Sequence, residues 1–478
     1  MDRYHVPDHY HQGAVKIPSV LIMAAGRGTR MRSRVPKVLH PLCGRPLILW
    51  PVEAAREAGA ERVVVVVGSE GEEVGRVLPP GTEIAVQDPP AGTGDAVLAA
   101  REALAGASDV IVLSGDHPLI DAGFVTALAE RHAASGAAAT VTTRKLADPG
   151  QYGRVVREPG GDVERIVETK HPGDATAEEL AIKEVNAGTY AFAVEPLFEA
   201  LTKVGTDNAQ GEVYLGDVIP LLREKGHRVA AFLTDDEHIS MGINTRADLA
   251  DVQEVARRQI LRRHMLAGVT ISDPSSTFID VDVKIGEDST VEPFSFLKGQ
   301  VEVGSRSTVG PLTTLIDSVI GDEVSVVHSH LDACEVLDGC TVGPFTRIRP
   351  GTKLHDRAKA GAFVEIKNSE IGEGAKIPHL SYIGDADVGE GANLGASTIT
   401  ANYDGRRKHR TVIGRHVRTG VHTSLVAPLT VGDDSYTGAG SVVTDDVPGG
   451  ALGIARARQT NIEGYAERDE ATEDDNKR

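Results

Sequence analysis

The stretch MAAGRGTRMRSRVPK, residues 23–37, sets two glycines, four arginines and a Pro-Lys pair directly after the short apolar run SVLI. Gly26 and Gly28 let backbone N–H groups come close to an anion, because no side chain stands in the way. Arg30 and Lys37 can neutralise its charge. The stretch is no Walker A loop, since no Gly-Lys pair follows, and no dinucleotide fingerprint, since Met31 stands where the third glycine belongs. Taken alone, these residues fit either a phosphate cradle or a surface turn with solvated arginines.

Other polar residues stand where chemistry is done. GTGDA, residues 92–96, opens a helical pattern with backbone donors. SGDHPLI puts Asp116 at the end of an apolar run, where a carboxylate holds Mg2+ beside phosphates or simply caps a helix. NAGTY (186–190) and MGINT (241–245) each carry an Asn close to a Gly, which also makes a plain turn. His379, in KIPHLSYIGDA, is by residue type alone a loop histidine with no duty.

The elements that must position these residues fall into two rhythms. From about Ser19 to Phe232, β-branched runs (SVLIM, RVVVVV, DVIVLS, AAATVTT) alternate with helical patterns (LILWPVEAAREAGA, GDAVLAAREALAG, DAGFVTALAERHAASG). Such alternation predicts a mostly parallel, Rossmann-like sheet covered on both faces, with ligands beyond the carboxyl ends of its strands. TRADLADVQEVARRQILRRHML predicts one long connecting helix. After Gly268 helical periodicity vanishes. Aliphatic-Gly pairs then recur, with spacings such as 18 residues from Ile285 to Val303 and 6 more to Val309. This hexapeptide register predicts a parallel β-helix, each aliphatic residue stacking on the coil below; a β-sandwich with Gly-rich turns would not explain the sixfold phase.

Composition removes several functions. A net charge of −19 over 478 residues argues against a nucleic-acid or anionic-membrane binder. With 41% apolar but only 4% aromatic residues, the cores must be built from Val, Ile, Leu and Ala. Cys43, Cys334 and Cys340 give no disulfide framework and point to a reducing, cytoplasmic compartment. Cys334 and Cys340, six apart, fall on adjacent faces of a three-sided coil. No apolar run approaches a membrane span. MDRYHVPDHYHQGAVK lacks a signal-type apolar segment and reads as a disordered extension, its His5, His9 and His11 solvated; ERDEATEDDNKR reads as a solvated acidic tail.

In order along the chain, MAAGRGTRM…PKVLH, GTGDA, a Gly-Asp after a strand, YGR, NAGTY, DNAQGEVYLGDVI and GINTRADL resemble the sugar-nucleotide pyrophosphorylases. Together with the β-helix half, from about Ser19 to Gln459, the chain resembles the bifunctional GlmU family, in which N-acetylglucosamine-1-phosphate uridylyltransferase is joined to glucosamine-1-phosphate N-acetyltransferase. The resemblance implies a fold of α/β plus all-β type: a nucleotidyltransferase domain at 18–245 after an extension at 1–17, a linker helix at 246–267, a left-handed parallel β-helix acetyltransferase at 268–460 and a tail at 461–478. It implies that Ala24, Ala25 and Gly26 grip UTP, that Arg30 and Lys37 neutralise the triphosphate, and that Gln87, Gly92 and Thr93 frame the base. Gly153, Glu168 and Asn186 would hold the acetylated sugar, and Asp116 and Asn244 would ligate Mg2+, with Asn244 also in the sugar-phosphate site.

In the second half, the same resemblance implies His379 as the base that takes a proton from the substrate amine; an imidazole's ordinary pKa of about 6.5 suits that task. Arg349 and Lys367 would clamp the phosphate of glucosamine-1-phosphate, Tyr382 and Asn393 would bind its sugar, and Glu365 would orient the imidazole. Ala396, Asn402, Tyr403, Val421, Ala439 and Arg456 would bind acetyl-CoA. GRRKHR (405–410) reads as a loop near the coenzyme's phosphates or as a solvated loop. The chain departs from the family pattern at Pro90, Asp95, Ser114, Ser397, Ala401 and Val421. A homotrimer is implied, with small-molecule substrates and neither nucleic acid nor membrane as partner. The alternatives are a pyrophosphorylase for another sugar or nucleotide and a non-catalytic regulatory paralogue, which would have lost His379, Arg349, Asp116 or Asn244.

Overall fold

The computed structural model describes residues 15–466 apart from 27, 70, 170–174 and 206–210. The three histidines of the N-terminal stretch, most of the acidic tail, and residues 207–210 of the DNAQGEVYLGDVI motif lie outside the described residues. The chain divides into two compact units, with the break between Gln259 and Ile260.

The first unit is built on one mixed sheet. We number its strands β1 (Ser19–Ala24), β2 (Val63–Val67), β3 (Glu83–Val86), β4 (Asp109–Ser114), β5 (Ala139–Lys145), β6 (Arg154–Arg157), β7 (Val163–Val167), β8 (Glu184–Ala193) and β9 (Val229–Leu233). The main order is β9-β5-β8-β4-β1-β2-β3, and β6 and β7 form a ribbon off β8. All neighbours in the main order run parallel except β8, which lies antiparallel to both β4 and β5. The four β-branched runs singled out in the sequence are β1, β2, β4 and β5. Strands such as Val63–Val67 are buried along their whole length, because alternate residues enter two separate apolar clusters, one on each side of the sheet. The helix Ala122–Ser135 starts where the Asp121 side chain accepts from the Phe124 N–H and stops at Gly136, which takes up a left-handed conformation. The pattern at 94–106 is helical only over Thr93–Ala99 and continues as turns. In those turns Arg101 bonds back to Leu98, and Ala105 to Glu102, three residues behind each.

Helix Arg246–Leu266 has the length expected of the connector. Beyond it lies the parallel β-helix: three sheets of 7, 10 and 9 strands, all parallel, with successive strands passing from one face to the next. One aliphatic residue per strand points inward. Val291, Val309, Val326 and Val342 stack on the first face, Leu297, Leu315, Leu331 and Ile348 on the second, and Val303, Ile320, Val336 and Leu354 on the third. Each such side chain, fully buried, contributes roughly 1.5–3 kcal/mol, which compensates for the shortage of aromatic residues.

The aliphatic-Gly pairs have a steric cause. Gly286, Gly304, Gly372 and Gly389 stand at the same corner of different coils, where a Cβ would come within 2.5–2.7 Å of the backbone of the next coil. The register is looser than a strict sixfold phase. Third-face steps from Val303 to Ile320, Val336 and Leu354 are 17, 16 and 18 residues, so the corners absorb one or two deletions. From Val388 to Ile413 the step is 25 residues, because the chain makes an excursion at 402–410.

Candidate functional site

The first site lies past the carboxyl ends of β1, β3 and β4. A cleft of about 250 Å³ is lined by Ala24 at the end of β1 with Ala25 and Gly26 after it, Gln87, Gly92 and Thr93 after β3, and Ser114 at the end of β4 with Asp116 after it, with Lys37 on its wall. A Cβ on Gly26 would meet nothing within 4 Å, so this backbone is open to a ligand. Gly28 has φ +58°, and a Cβ there would come 2.5 Å from the Cβ of Lys37. That close approach seats Lys37.

Lys37, Asp116, Asn244 and Arg30 form one polar cluster. The Lys37 ammonium is bonded to the Asp116 carboxylate, and its Nζ lies 3.4 Å from Asn244 Oδ1. Arg30 Nη2 donates to the same Asn244 oxygen at 2.9 Å, and Ser114 Oγ donates to Asp116 Oδ1 at 2.6 Å. Burial pushes the Asp116 carboxyl up, but the charges of His117 and Lys37 and the hydrogen bonds from Lys37 and Ser114 outweigh it and hold it at about 2. Burial keeps His117 itself below the usual imidazole value. Two oxygen donors, Asp116 and Asn244, thus converge on a single cation. Their hardness fits Mg2+, which takes few protein ligands and completes its shell with phosphates and water.

Gly153, Glu168 and Asn186 also come together. The Asn186 N–H donates to Gly153 O at 2.9 Å, and a Cβ on Gly153 would lie 3.5 Å from Glu168 Oε1. Asn186 Nδ2 donates to the Tyr190 hydroxyl at 2.6 Å. Burial first, then the Glu168 and Asp217 charges, push the Tyr190 phenol up to about 12.

The start of GTGDA offers fewer free backbone donors than expected: the Gly94 N–H is spent on Val213 O at 2.8 Å, and the Thr93 hydroxyl accepts from the Leu215 N–H at 3.0 Å. The segment is fastened to 213–215 instead, and Gly92, at φ +111°, has Val213 O 2.5 Å from where a Cβ would be.

The second site lies on the β-helix. His379 ends a strand of the first face and is exposed at the corner leading to the second. Above it the coils repeat this corner: Ser397 N–H donates to His379 O, His422 N–H to Ala396 O and Gly440 N–H to Val421 O. His379, Ala396, Val421 and Ala439 therefore stand in one column, a coil apart, spanning about 14 Å at roughly 4.8 Å per coil. Gly440 approaches the exposed Arg456, whose Cδ would lie 3.8 Å from a Cβ there. Asn393 pairs with Lys376 on the first face, three residues from His379.

On the second face Arg347, Glu365 and Tyr382 are in register, and Lys367 pairs with Gly384. Asp385 ties the floor of this site together. It accepts from Asn368 Nδ2 at 2.6 Å, from Asn402 Nδ2, and from Lys367 Nζ at 3.4 Å. A Cβ on Gly384 would strike the Tyr382 hydroxyl at 2.4 Å, so glycine is needed there. Glu365 does not orient the imidazole: Arg349 Nη1 holds its Oε1 at 2.9 Å.

Sequence reasoning missed one cation. The excursion at 402–410 folds back on itself, with Tyr403 bridging Lys408, and brings the Lys408 ammonium against Lys367. The contact with the Lys367 ammonium, a like charge, lowers the Lys408 pKa. The GRRKHR run is therefore neither wholly solvated nor aimed only at a coenzyme. Its Lys408 joins Arg349 and Lys367.

A nucleotidyltransferase-type sheet with an acid–lysine cluster in its cleft, followed by a parallel β-helix with a histidine at a repeating corner, defines a two-site transferase class. The MobA-like NTP transferase domain family matches residues 20–213. Over 459 residues, the chain is 47% identical to the bifunctional protein GlmU of Mycobacterium bovis (94% of this chain, 92% of that one). It is 49% identical to that of Kineococcus radiotolerans (94% and 91%) and 48% identical to that of Mycolicibacterium smegmatis (94% and 94%). The chain belongs to the bifunctional GlmU family.

Proposed function

We propose that the second unit transfers acetyl from acetyl-CoA to glucosamine-1-phosphate, and that the first transfers UMP from UTP to the resulting N-acetylglucosamine-1-phosphate. What carries this reading is the likeness to bifunctional relatives over 94% of the chain, with both polar sites assembled. The proposed boundaries are 18–245 for the uridylyltransferase, 246–267 for the linker and 268–460 for the acetyltransferase.

In the first reaction a sugar-phosphate oxygen attacks the α-phosphorus of UTP, and the bond to the β-phosphate breaks to release pyrophosphate. Such transfer needs positioning and charge neutralisation more than a protein nucleophile. The backbone at 24–26 holds the phosphates, Arg30 and Lys37 take up their charge, and Gly153, Glu168 and Asn186 place the sugar. Asp116 and Asn244 would hold Mg2+, which when bound supplies further neutralisation of the triphosphate. In the second reaction Arg349, Lys367 and Lys408 clamp the phosphate, and Tyr382 and Asn393 hold the sugar. His379 takes the ammonium proton, the amine attacks the thioester carbonyl, and the C–S bond breaks. The column Ala396, Val421 and Ala439, with Asn402, Tyr403 and Arg456, gives the coenzyme a track.

The test is to omit glucosamine-1-phosphate, acetyl-CoA, UTP and Mg2+ in turn while following free CoA thiol and pyrophosphate. CoA release only with glucosamine-1-phosphate, then pyrophosphate only with UTP and Mg2+, is expected. Pyrophosphate from another sugar without CoA release would replace this reading with that of a different pyrophosphorylase.

We also propose that the protein works as a cytoplasmic homotrimer. Phe294, Leu312, His328, Phe345, Phe363 and Leu380 occupy the same corner on successive coils; the five apolar ones are each between 49% and 58% exposed, and Phe345 and Phe363 stack at 5.0 Å. An apolar strip of this length calls for a cover, and it runs directly into the corner of His379. A second copy seated there would close the acetyl-transfer site. Phe345→Asp with Phe363→Asp is expected to reduce the mass in light scattering from trimer to monomer and to lower CoA release; an unchanged mass would sink the assignment of this strip. Among the described residues no helix is long and apolar enough to cross a membrane.

A further inference from the structure

Gln87 is only 3% exposed, yet it lines the nucleotide cleft. Its side-chain nitrogen donates twice, to Gly92 O at 3.0 Å and to Asp95 Oδ2 at 2.7 Å. Both neighbours are acceptors only, so the amide has one tolerable orientation: turned over, its oxygen would face a carbonyl and a carboxylate. Both amide hydrogens are then spent within the protein, and Oε1 is what the group has left to offer a ligand.

The sheet order says which part of the nucleotide this oxygen meets. Asp116 follows β4 and Gln87 follows β3, three strand spacings away along β4-β1-β2-β3, or about 14 Å at 4.8 Å per strand. With the phosphates at the Lys37–Asp116 end, the nucleobase reaches the Gln87 end.

We propose that Asp95, acting through Gln87, is the positioning residue that sets nucleobase choice: it locks the amide as an acceptor, so that the site takes a base edge that donates a hydrogen bond and rejects one that accepts. Uracil N3 carries a hydrogen and donates; cytosine N3 accepts. The two bases have the same size, so the polarity of this edge is the discriminating feature. A buried site that must leave a polar pair unmatched rejects the wrong base strongly, more than a shape difference of one methylene would. The proposal deepens the uridylyltransferase reading and rests on it.

The test compares kcat/KM for UTP and CTP in pyrophosphate release with N-acetylglucosamine-1-phosphate and Mg2+, using the full chain and the variants Asp95→Asn and Asp95→Glu. Asparagine fills the same space but carries no charge and can donate, which leaves the Gly92 carbonyl alone to hold Gln87 in its orientation; glutamate keeps the acceptor. The Asp95→Asn variant is expected to lower the UTP:CTP ratio about tenfold, mostly through KM for UTP, while Asp95→Glu retains more of it. A ratio within twofold of wild type in Asp95→Asn, at an unchanged melting temperature, overturns the proposal. So does a wild type that uses the two nucleotides equally. A wild type that releases no pyrophosphate from either nucleotide sinks the parent reading as well.

Discussion

Replacing His379 with alanine is expected to cut CoA release by about 10²–10⁴-fold, the usual range for losing a general base, and to leave pyrophosphate release from UTP and N-acetylglucosamine-1-phosphate within twofold of wild type. The asymmetry follows from the fold. His379 is an exposed corner residue of the β-helix, so its loss empties no core. Its backbone carbonyl, which receives the Ser397 N–H and the Ser381 hydroxyl, is the part that holds the corner. Alanine keeps that carbonyl. The residues proposed for uridylyl transfer lie in the other compact unit. The loss should appear in kcat rather than in KM for glucosamine-1-phosphate, since Arg349, Lys367 and Lys408 still hold the phosphate. A variant that kept wild-type CoA release would remove His379 from the reaction. One that lost both activities would show that the histidine acts through stability.

Periodic features of this chain were legible because periodicity repeats a single steric fact. The corner glycines recur because each coil brings its backbone against the next, and the valine runs of the first half are strands because both faces of the sheet are covered. What escaped depends on where a side chain points or on contacts between distant residues. Glu365 shares a face with Tyr382, which register predicts, but its partner is Arg349 on the coil below, a matter of rotamer. Gly94 is tied to Val213, 119 residues away, and no local pattern announces that bond. Lys408 was hidden because it sits in the one excursion that breaks the coil rhythm, and a break in rhythm reads as a solvated loop. The long gap between Val388 and Ile413 was itself the signal, since an insertion that breaks a regular coil has something to reach. The helical pattern at 94–106 overran for a different reason. Ala- and Leu-rich turns with three-residue bonds share the apolar spacing of a helix, and only hydrogen-bond geometry separates them.

Replacing Asp116 with asparagine is the corresponding experiment on the first site, with pyrophosphate release expected to fall about 10²–10³-fold and CoA release to hold. Asparagine keeps the shape and one acceptor oxygen, which can stay on Lys37, while its NH2 donates to the Ser114 hydroxyl, so the change removes the charge and reverses one hydrogen bond. Two effects then separate. The Mg2+ concentration needed for half-maximal rate should rise at least tenfold, because a neutral amide oxygen is a poorer ligand for a hard cation than a carboxylate. Stability should drop modestly, because Lys37, with 12% of its side chain exposed, loses its counter-charge but keeps a hydrogen bond. Asp116→Ala removes that bond too and should lower the melting temperature further. The pH dependence distinguishes the carboxylate's role from a structural one. The folded-state carboxyl titrates at about 2 against an ordinary 3.8, so the stability gained from its ionisation is fully present above the ordinary value and is lost as pH falls through 2. Wild type and Asp116→Asn should therefore differ in stability by a constant amount above about pH 5, and the difference should shrink below that and disappear only as pH falls through about 2. Equal Mg2+ requirements in the two proteins would take the metal away from Asp116, and the Lys37–Asp116 pair would then be a device for seating the lysine alone.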